Sequence, residues 1–407
     1  MRKLFQIVLL TLTSCFPLTP GDQTTASLQQ LDAIFGDYFA WWETMFDPET
    51  GGVFYSAAAQ SKPKSYPPHI ESTAKYVRVL QWSERLENLP DERRQHLIRF
   101  FQTRQIGPPD YPADHTAAGY FLDAAYPDLH PDHPNAPRRK YVVSRALDFS
   151  VKSLGLLGSS PLFALPNANR NGEELAHLRS PEDWLSWLKL RRWDRTWYAG
   201  SDVLTQIGHI RRIKSETLRQ QFVDTTIDYL EREQRNAETG FWGSHDQGDN
   251  QRPYYLLNGS HKIVLFHRAF DRPVPDADRL LESSLAEFRA HSPENLLYIY
   301  NTSQLVRNLR NQEGVEMGDS DLATFIRQAA MHLARFRQED GGFSTSLVPE
   351  RGNRFNPPSK QVVSNTDASG LALKTRNTLH ELHSGSYKPL ASVNDHRSET
   401  EPPLRKD

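Results

Sequence analysis

Between residues 27 and 383 the chain carries one hydrophobic period. Apolar residues recur three and four apart, as in Thr217-Leu-Arg-Gln-Gln-Phe-Val-Asp-Thr-Thr-Ile-Asp-Tyr-Leu-Glu-Arg-Glu-Gln234, and no convincing run alternates with period two. Such a chain can build its core only by packing helices on helices. The spacing predicts helices over 27–45, 70–88, 91–106, 142–156, 180–190, 198–212, 217–235, 255–270, 276–290, 295–310, 320–338 and 361–383. Some starts are marked locally. Ser180-Pro181-Glu182-Asp183 offers an N-cap, a proline at the first helical position and acids in the first turn, and Ser292-Pro293-Glu294 repeats the pattern.

These helices fall into six pairs. The first member of a pair is amphipathic and charged, whereas the second is poorer in charge and richer in small residues, as in Tyr198-Ala-Gly-Ser-Asp-Val-Leu and Val362-Val-Ser-Asn-Thr-Asp-Ala-Ser-Gly. Charged helices belong outside, and small residues let the others crowd around an axis. The expected fold is therefore all-α, an (α/α)6 toroid of six hairpins. Long connections at 46–69, 107–141, 236–254 and 339–360 all lead from an outer to an inner helix, so they gather on one face. Loops this long inside a compact domain are usually functional. The segment 157–179 breaks the rule.

Four of the outer-to-inner junctions share a glycine–aromatic turn: Phe46-Asp-Pro-Glu-Thr-Gly-Gly-Val-Phe54, Ala118-Gly-Tyr-Phe121, Gln234-Arg-Asn-Ala-Glu-Thr-Gly-Phe-Trp242 and Phe336-Arg-Gln-Glu-Asp-Gly-Gly-Phe343. Glycine supplies a positive φ after a helix end, and the aromatic ring staples the turn onto the bundle. Gln338-Glu-Asp-Gly-Gly-Phe343 resembles the Q-x-D-G-G-F/W turn of the terpenoid cyclase and protein prenyltransferase toroids, and similar turns occur in carbohydrate-active α/α toroids. The resemblance implies the fold. It does not carry either named activity: class II cyclases use a D-x-D-D motif, and the nearest approach here is Asp319-Ser-Asp321, while prenyltransferases need a zinc site containing cysteine.

The 407 residues include one cysteine, which excludes an intramolecular disulfide and a cysteine-cluster metal site. It stands at Leu12-Thr13-Ser14-Cys15, after Met1-Arg2-Lys3 and a short apolar run. The tetrapeptide resembles the bacterial lipobox, which implies a signal at 1–14, cleavage before Cys15, a lipid on its thiol and a tether over 15–26; a conventional secretory signal is the alternative. Phe16 resembles the outer-membrane sorting pattern of Gram-negative lipoproteins. The toroid then spans 27–383 and a polar tail, expected to be disordered, runs over 384–407. Contact with a membrane is expected only through the lipid. Lys+Arg 48 against Asp+Glu 50 gives no basic excess, so nucleic acid is not an expected partner.

The inner-helix starts carry the candidate chemistry: His69 and Glu71, Tyr141 and Arg145, Tyr198 and Asp202, Asn258, His261 and Lys262, Tyr298 and Asn301, Asn365 and Asp367. A purely structural core would place leucine and valine there; a water-filled funnel that tolerates polar groups is the plainer explanation. His245, in the dense stretch Gly243 to Tyr255, joins His261 as a possible acid–base group. Trp193 and Trp197 could stack on sugar rings, whereas Trp184 and Trp187 read as one helix's core stripe. Asp114-His115 and Asp132-His133 invite a metal reading, but no ligand spacing supports one, and neither metal nor cofactor is expected.

Two enzymatic readings follow, with a poly- or oligosaccharide as partner. In a lyase of an acidic polysaccharide, Asn258, Lys262 or Arg145 offsets the uronate carboxylate while His261 or Tyr298 takes the C5 proton. In a hydrolase, two carboxylates among Glu71, Asp202, Asp246 and Asp367 act together. The lyase is slightly favoured because amide, histidine, tyrosine and cationic positions outnumber acids. The rival reading is a non-catalytic lipoprotein that binds a glycan or scaffolds a surface complex.

Overall fold

The computed structural model describes residues 20–109, 118–123, 125, 140–165, 176–244, 246–387 and 389–390. The expected signal, Cys15 and the tail beyond 390 lie outside them. Among the described residues the protein is all-helical, with no strand. The α-helices are α1 (Pro20–Ala33), α2 (Tyr38–Met45), α3 (Ala57–Gln60), α4 (Ile70–Trp82), α5 (Asp91–Gln102), α6 (Lys140–Leu156), α7 (Pro181–Lys189), α8 (Thr196–Arg211), α9 (Glu216–Tyr229), α10 (Tyr255–Ala269), α11 (Ala277–Ala290), α12 (Leu296–Arg310), α13 (Asp319–Ala334) and α14 (Thr366–Ser384). No described helix is long and apolar enough to cross a membrane.

The helices expected inside pack side by side in the order α6, α4, α14, α12, α10, α8, and the others lie against this series, α1 and α13 on α14, α11 on α12, α9 on α7 and α8. The α8–α10 approach is the tightest. A Cβ on Gly200 would stand 2.9 Å from the carbonyl oxygen of Gly259, so only glycine permits the two backbones to touch. Buried aromatic residues, among them Tyr38, Trp42, Trp184, Phe222 and Trp242, fill the space between the inner series and its cover.

Each glycine–aromatic turn is closed by one isolated antiparallel bridge: Phe46 with Val53, Gln105 with Phe121, Arg235 with Trp242, and Arg337 with Phe343. Gly51, Gly119, Gly240 and Gly341 all sit at positive φ, between 73° and 107°. Three turns share a further device. The N–H of Val53 donates to Thr73 Oγ1 at 3.0 Å, that of Trp242 to Ser260 Oγ at 3.2 Å, and that of Phe343 to Ser369 Oγ at 2.9 Å. A hydroxyl on α4, α10 and α14 thus registers the incoming turn against the inner helix.

Several boundaries differ from the sequence reading. The first helix is two, because the chain turns at 34–37 and α2 restarts with Tyr38, whose hydroxyl donates to the carbonyl of Ser369 at 2.8 Å. Ser180 caps α7 as expected, accepting from the N–H of Asp183 at 3.2 Å. Ser292 does not cap α12. Asn295 does, accepting from the N–H of Leu297 at 2.9 Å, and Ser292 instead accepts from Arg335. The last helix starts at Thr366 rather than 361, because the Asn365 side chain caps it through the N–H of Ala368 at 2.9 Å.

Candidate functional site

The starts of α4, α6 and α14 are tied together by charge. On α4, Glu71 accepts from Lys75 Nζ at 3.0 Å and from Arg145 Nε at 3.1 Å, with a second Arg145 nitrogen on its other oxygen. Lys75 also pairs with Asp367 at the start of α14. Burial opposes ionisation of Glu71, but Lys75 and Arg145 overcome it and hold its carboxyl well below the usual range. Burial lowers Lys75 to about 8 against the pull of Glu71.

Deeper along the inner helices the groups change character. Asn258 is fully buried on α10, and its Oδ1 accepts from Asn301 Nδ2 on α12 at 2.7 Å. Its own Nδ2 and the Nδ1 of buried His261, one turn on, have no hydrogen-bond partner. The His261 ring lies edge-on to Tyr300 with centroids 6.4 Å apart. Burial, with Lys262 and Arg307 nearby, lowers His261 to about 3, so the imidazole is neutral at ordinary pH. Lys262 is lowered to about 8 by burial and by Arg145.

Opposite the ion pairs, at the starts of α8, α10 and α12, stands an aromatic group. Trp197 meets Tyr198 at 6.1 Å, Tyr255 at 5.3 Å and Tyr298 at 6.2 Å, and Tyr198 is more than half exposed. Tyr298 is backed by Tyr254, stacked 5.0 Å away at 15°. Tyr254 occupies the left-handed region at φ 67°, rare for a bulky side chain. Its N–H donates to Glu287 Oε1 at 2.9 Å and its hydroxyl to the carbonyl of His291 at 2.5 Å, which hold it there.

The residues singled out from the sequence therefore divide. Glu71, Arg145 and Asp367 meet in one ion-pair network, Asn258, His261 and Asn301 in a buried polar one, and Trp197 and Tyr298 in the aromatic group. Asp202 stands apart on α8, paired with Arg191 at 3.2 Å and pushed up by burial. Trp193 is in the core, its Nε1 donating to the carbonyl of Leu188 at 3.1 Å. Trp184 and Trp187 do form one stripe, stacked at 4.7 Å. His69 caps α4, with Ser72 Oγ 2.7 Å from its Nε2 and Phe355 stacked on its ring at 4.3 Å. His245, the Tyr141 side chain, Asp114-His115 and Asp132-His133 fall outside the described residues. Among the described residues no three His, Cys, Asp or Glu side chains cluster as metal ligands.

The sequence reading stopped at the helix starts and so missed groups farther down the same faces. On α4, Glu71, Lys75 and Arg78 follow the four-then-three spacing of one helical stripe, a signal that could have found Arg78. Arg78 and Arg145 both lie over the Phe149 ring, at 5.1 and 5.2 Å from its centroid. Tyr300 was passed over in favour of Tyr298. No protein-family model, curated protein or solved structure matches the chain.

Proposed function

We propose that the protein is an (α/α)6 toroid and a carbohydrate-active enzyme, exported and lipid-anchored through Cys15, that acts on a poly- or oligosaccharide. The observation that carries this reading is the aromatic group Trp197, Tyr198, Tyr255 and Tyr298 standing beside inner-helix starts rich in ion pairs and amides. Aromatic faces stack on the apolar C–H patches of sugar rings, and fixed polar groups satisfy hydroxyls. The side-by-side order of the inner helices supports closure into a ring, with the aromatic group at its mouth.

Within this reading a lyase is favoured over a hydrolase. A hydrolase needs one carboxylic acid ready to donate a proton beside a free carboxylate. Of the four candidate carboxylates, Glu71, Asp202 and Asp367 are each already bound to a cation, and Asp246 stands exposed on the loop before α10, outside the inner-helix starts. A lyase needs a neutral base instead. In β-elimination the base takes the C5 proton, the C4–O bond breaks, C4=C5 forms and the leaving oxygen acquires a proton. His261, neutral and with an unbonded Nδ1, fits the base, and Tyr298 is the alternative.

Incubation of the purified protein with acidic and neutral polysaccharides separates the readings. Rising ultraviolet absorbance from unsaturated uronates supports the lyase, and new reducing ends without that absorbance support the hydrolase. Glycan binding with neither signal supports the non-catalytic alternative.

A further inference from the structure

α11 turns Leu280, Leu281, Leu285 and Phe288 into the core, and beside that face run two further rows. Ser283, Glu287 and His291 follow one another at four-residue spacing, and Ala286 and Ala290 do the same, so each set lines up along the helix. The two alanines leave room. Between α11, the turn at Thr239–Phe241 and the segment before α10 lies a pocket of about 510 Å³, lined by both rows. That is within the ~300–1,000 Å³ of ordinary small-molecule sites. Its apolar part is Phe241, Leu256 and Leu257, all buried.

The polar groups of the pocket are fixed but not used up. Glu287 Oε1 accepts from the Tyr254 N–H at 2.9 Å and stands 3.3 Å from His291 Nδ1. The other Glu287 oxygen, His291 Nε2 and the Ser283 hydroxyl make no hydrogen bond with another described residue. Arg252, the guanidinium of the pocket, is already paired with Asp249 at 3.2 Å. A carboxylated ligand would set its charge against Glu287. The hydroxyls of a neutral sugar can instead donate to Glu287 and bond to His291 and Ser283, with a C–H face of the ring on the apolar part.

Two side chains join this pocket to the aromatic mouth. Tyr254 lines the pocket and stacks on Tyr298, and Arg252 lines it and lies over the Tyr255 ring, 5.5 Å from the centroid. Tyr298 and Tyr255 both meet Trp197. Tyr254 is held between the two sites at a strained φ of 67°, and strain of this kind persists at ligand clamps.

We propose that the pocket between α11 and the segment before α10 is a subsite for a neutral sugar unit of the glycan held at the aromatic mouth. This rests on the carbohydrate reading and narrows its substrate class. For a lyase, the glycan carries an acidic unit where elimination occurs and a neutral one beyond Tyr254.

The test is ligand-observed NMR titration of the full chain with glucose, galactose, xylose, N-acetylglucosamine, glucuronate and galacturonate. Ala286→Trp fills the pocket from an exposed position and should weaken the best neutral sugar about tenfold or more. Glu287→Gln keeps an oxygen for the Tyr254 N–H and should narrow the preference for glucose over glucuronate. Met331→Trp, equal bulk on an exposed site of α13, should change neither. Where the melting temperature of Ala286→Trp falls, Ser283→Met, which fills the same pocket from the neighbouring turn, replaces it. Neutral sugar bound equally by wild type and the filled variant overturns the pocket, and its loss in Trp197→Ala then leaves the carbohydrate reading standing. Binding lost in the filled variant but untouched by Trp197→Ala keeps the pocket and overturns the mouth. Glucuronate bound in the pocket as tightly as glucose overturns the neutral assignment, and no sugar bound by any form overturns both readings.

Discussion

The backbone N–H of Phe343 donates to the hydroxyl of Ser369, 2.9 Å away and fully buried. That bond fixes the last glycine–aromatic turn against α14 and thereby positions Asn365, which caps the helix, and Asp367, which pairs with Lys75. Ser369→Ala leaves the N–H buried and unsatisfied, at a cost of about 1–3 kcal/mol. Urea denaturation of the two forms measures it, and a difference below about 0.5 kcal/mol would mean that the turn is held by other contacts.

Gly341 stands at φ 107° with the carbonyl oxygen of Asp37 2.8 Å from where a Cβ would sit. Gly341→Ala combines backbone strain with a backbone clash and should cost about 1–3 kcal/mol or more. The melting temperature should fall, and a neutral result would mean that the turn can move off α2 without loss.

Trp193 and Trp197 should part company on substitution. Trp193→Ala empties a core position and should cost about 3–5 kcal/mol of stability. Trp197→Ala removes a face of the aromatic mouth and should weaken glycan affinity about tenfold, or ~1.4 kcal/mol, while the melting temperature changes much less. Calorimetry and thermal denaturation run on both variants distinguish the cases, and glycan affinity unaffected by Trp197→Ala would remove the mouth from the site.

Asp123 and His69 set opposite pH dependences. Burial pushes the Asp123 carboxyl up to about 7, so the stability it contributes is whole below pH ~4 and is lost as pH rises through 7. Burial lowers His69 to about 3, so its contribution is present above pH ~6.5 and is lost as pH falls through 3. Between pH ~4 and ~6.5 the two slopes oppose each other. Asp123→Asn removes one of them, and the variant should gain stability with rising pH across that window by more than wild type does. Parallel slopes in urea titrations at several pH values would contradict this.

His261, as base, should be indispensable and silent. His261→Ala should abolish elimination with the fold intact, yet wild-type turnover should show no acid limb near pH 6–7 from this group, because it stays neutral down to about 3. Elimination that survives His261→Gln but is lost in Tyr298→Phe would transfer the role of base.

Helix content was legible because a 3.6-residue period over whole segments outweighs any local ambiguity. Breaks within that period were not. Gly36 alone does not announce the turn between α1 and α2, which follows from docking Phe35 and Tyr38 against Phe343. Thr24, buried on α1, extends the first helix back into a polar segment that carries no apolar period of its own. Tertiary packing overrides propensity at both places.

For the site, polar residues at helix starts were visible because such positions are unusual for a core. Arg78 and Tyr300 were not, since arginine and tyrosine occur on many outer faces and only the packing order turns these two inward. The shared hydroxyls Thr73, Ser260 and Ser369 escaped notice for a related reason. Their common role lies in a bond to a distant turn, and their spacing along the chain is irregular.

The glycine–aromatic turns carry a final consequence for self-association of the folded chain. Each extended segment pairs through one bridge inside its own turn, and three of them give a further N–H to a helix hydroxyl. The N–H groups of Val53, Trp242 and Phe343 are therefore spent inside the molecule and are not open to a neighbouring molecule for intermolecular β-pairing.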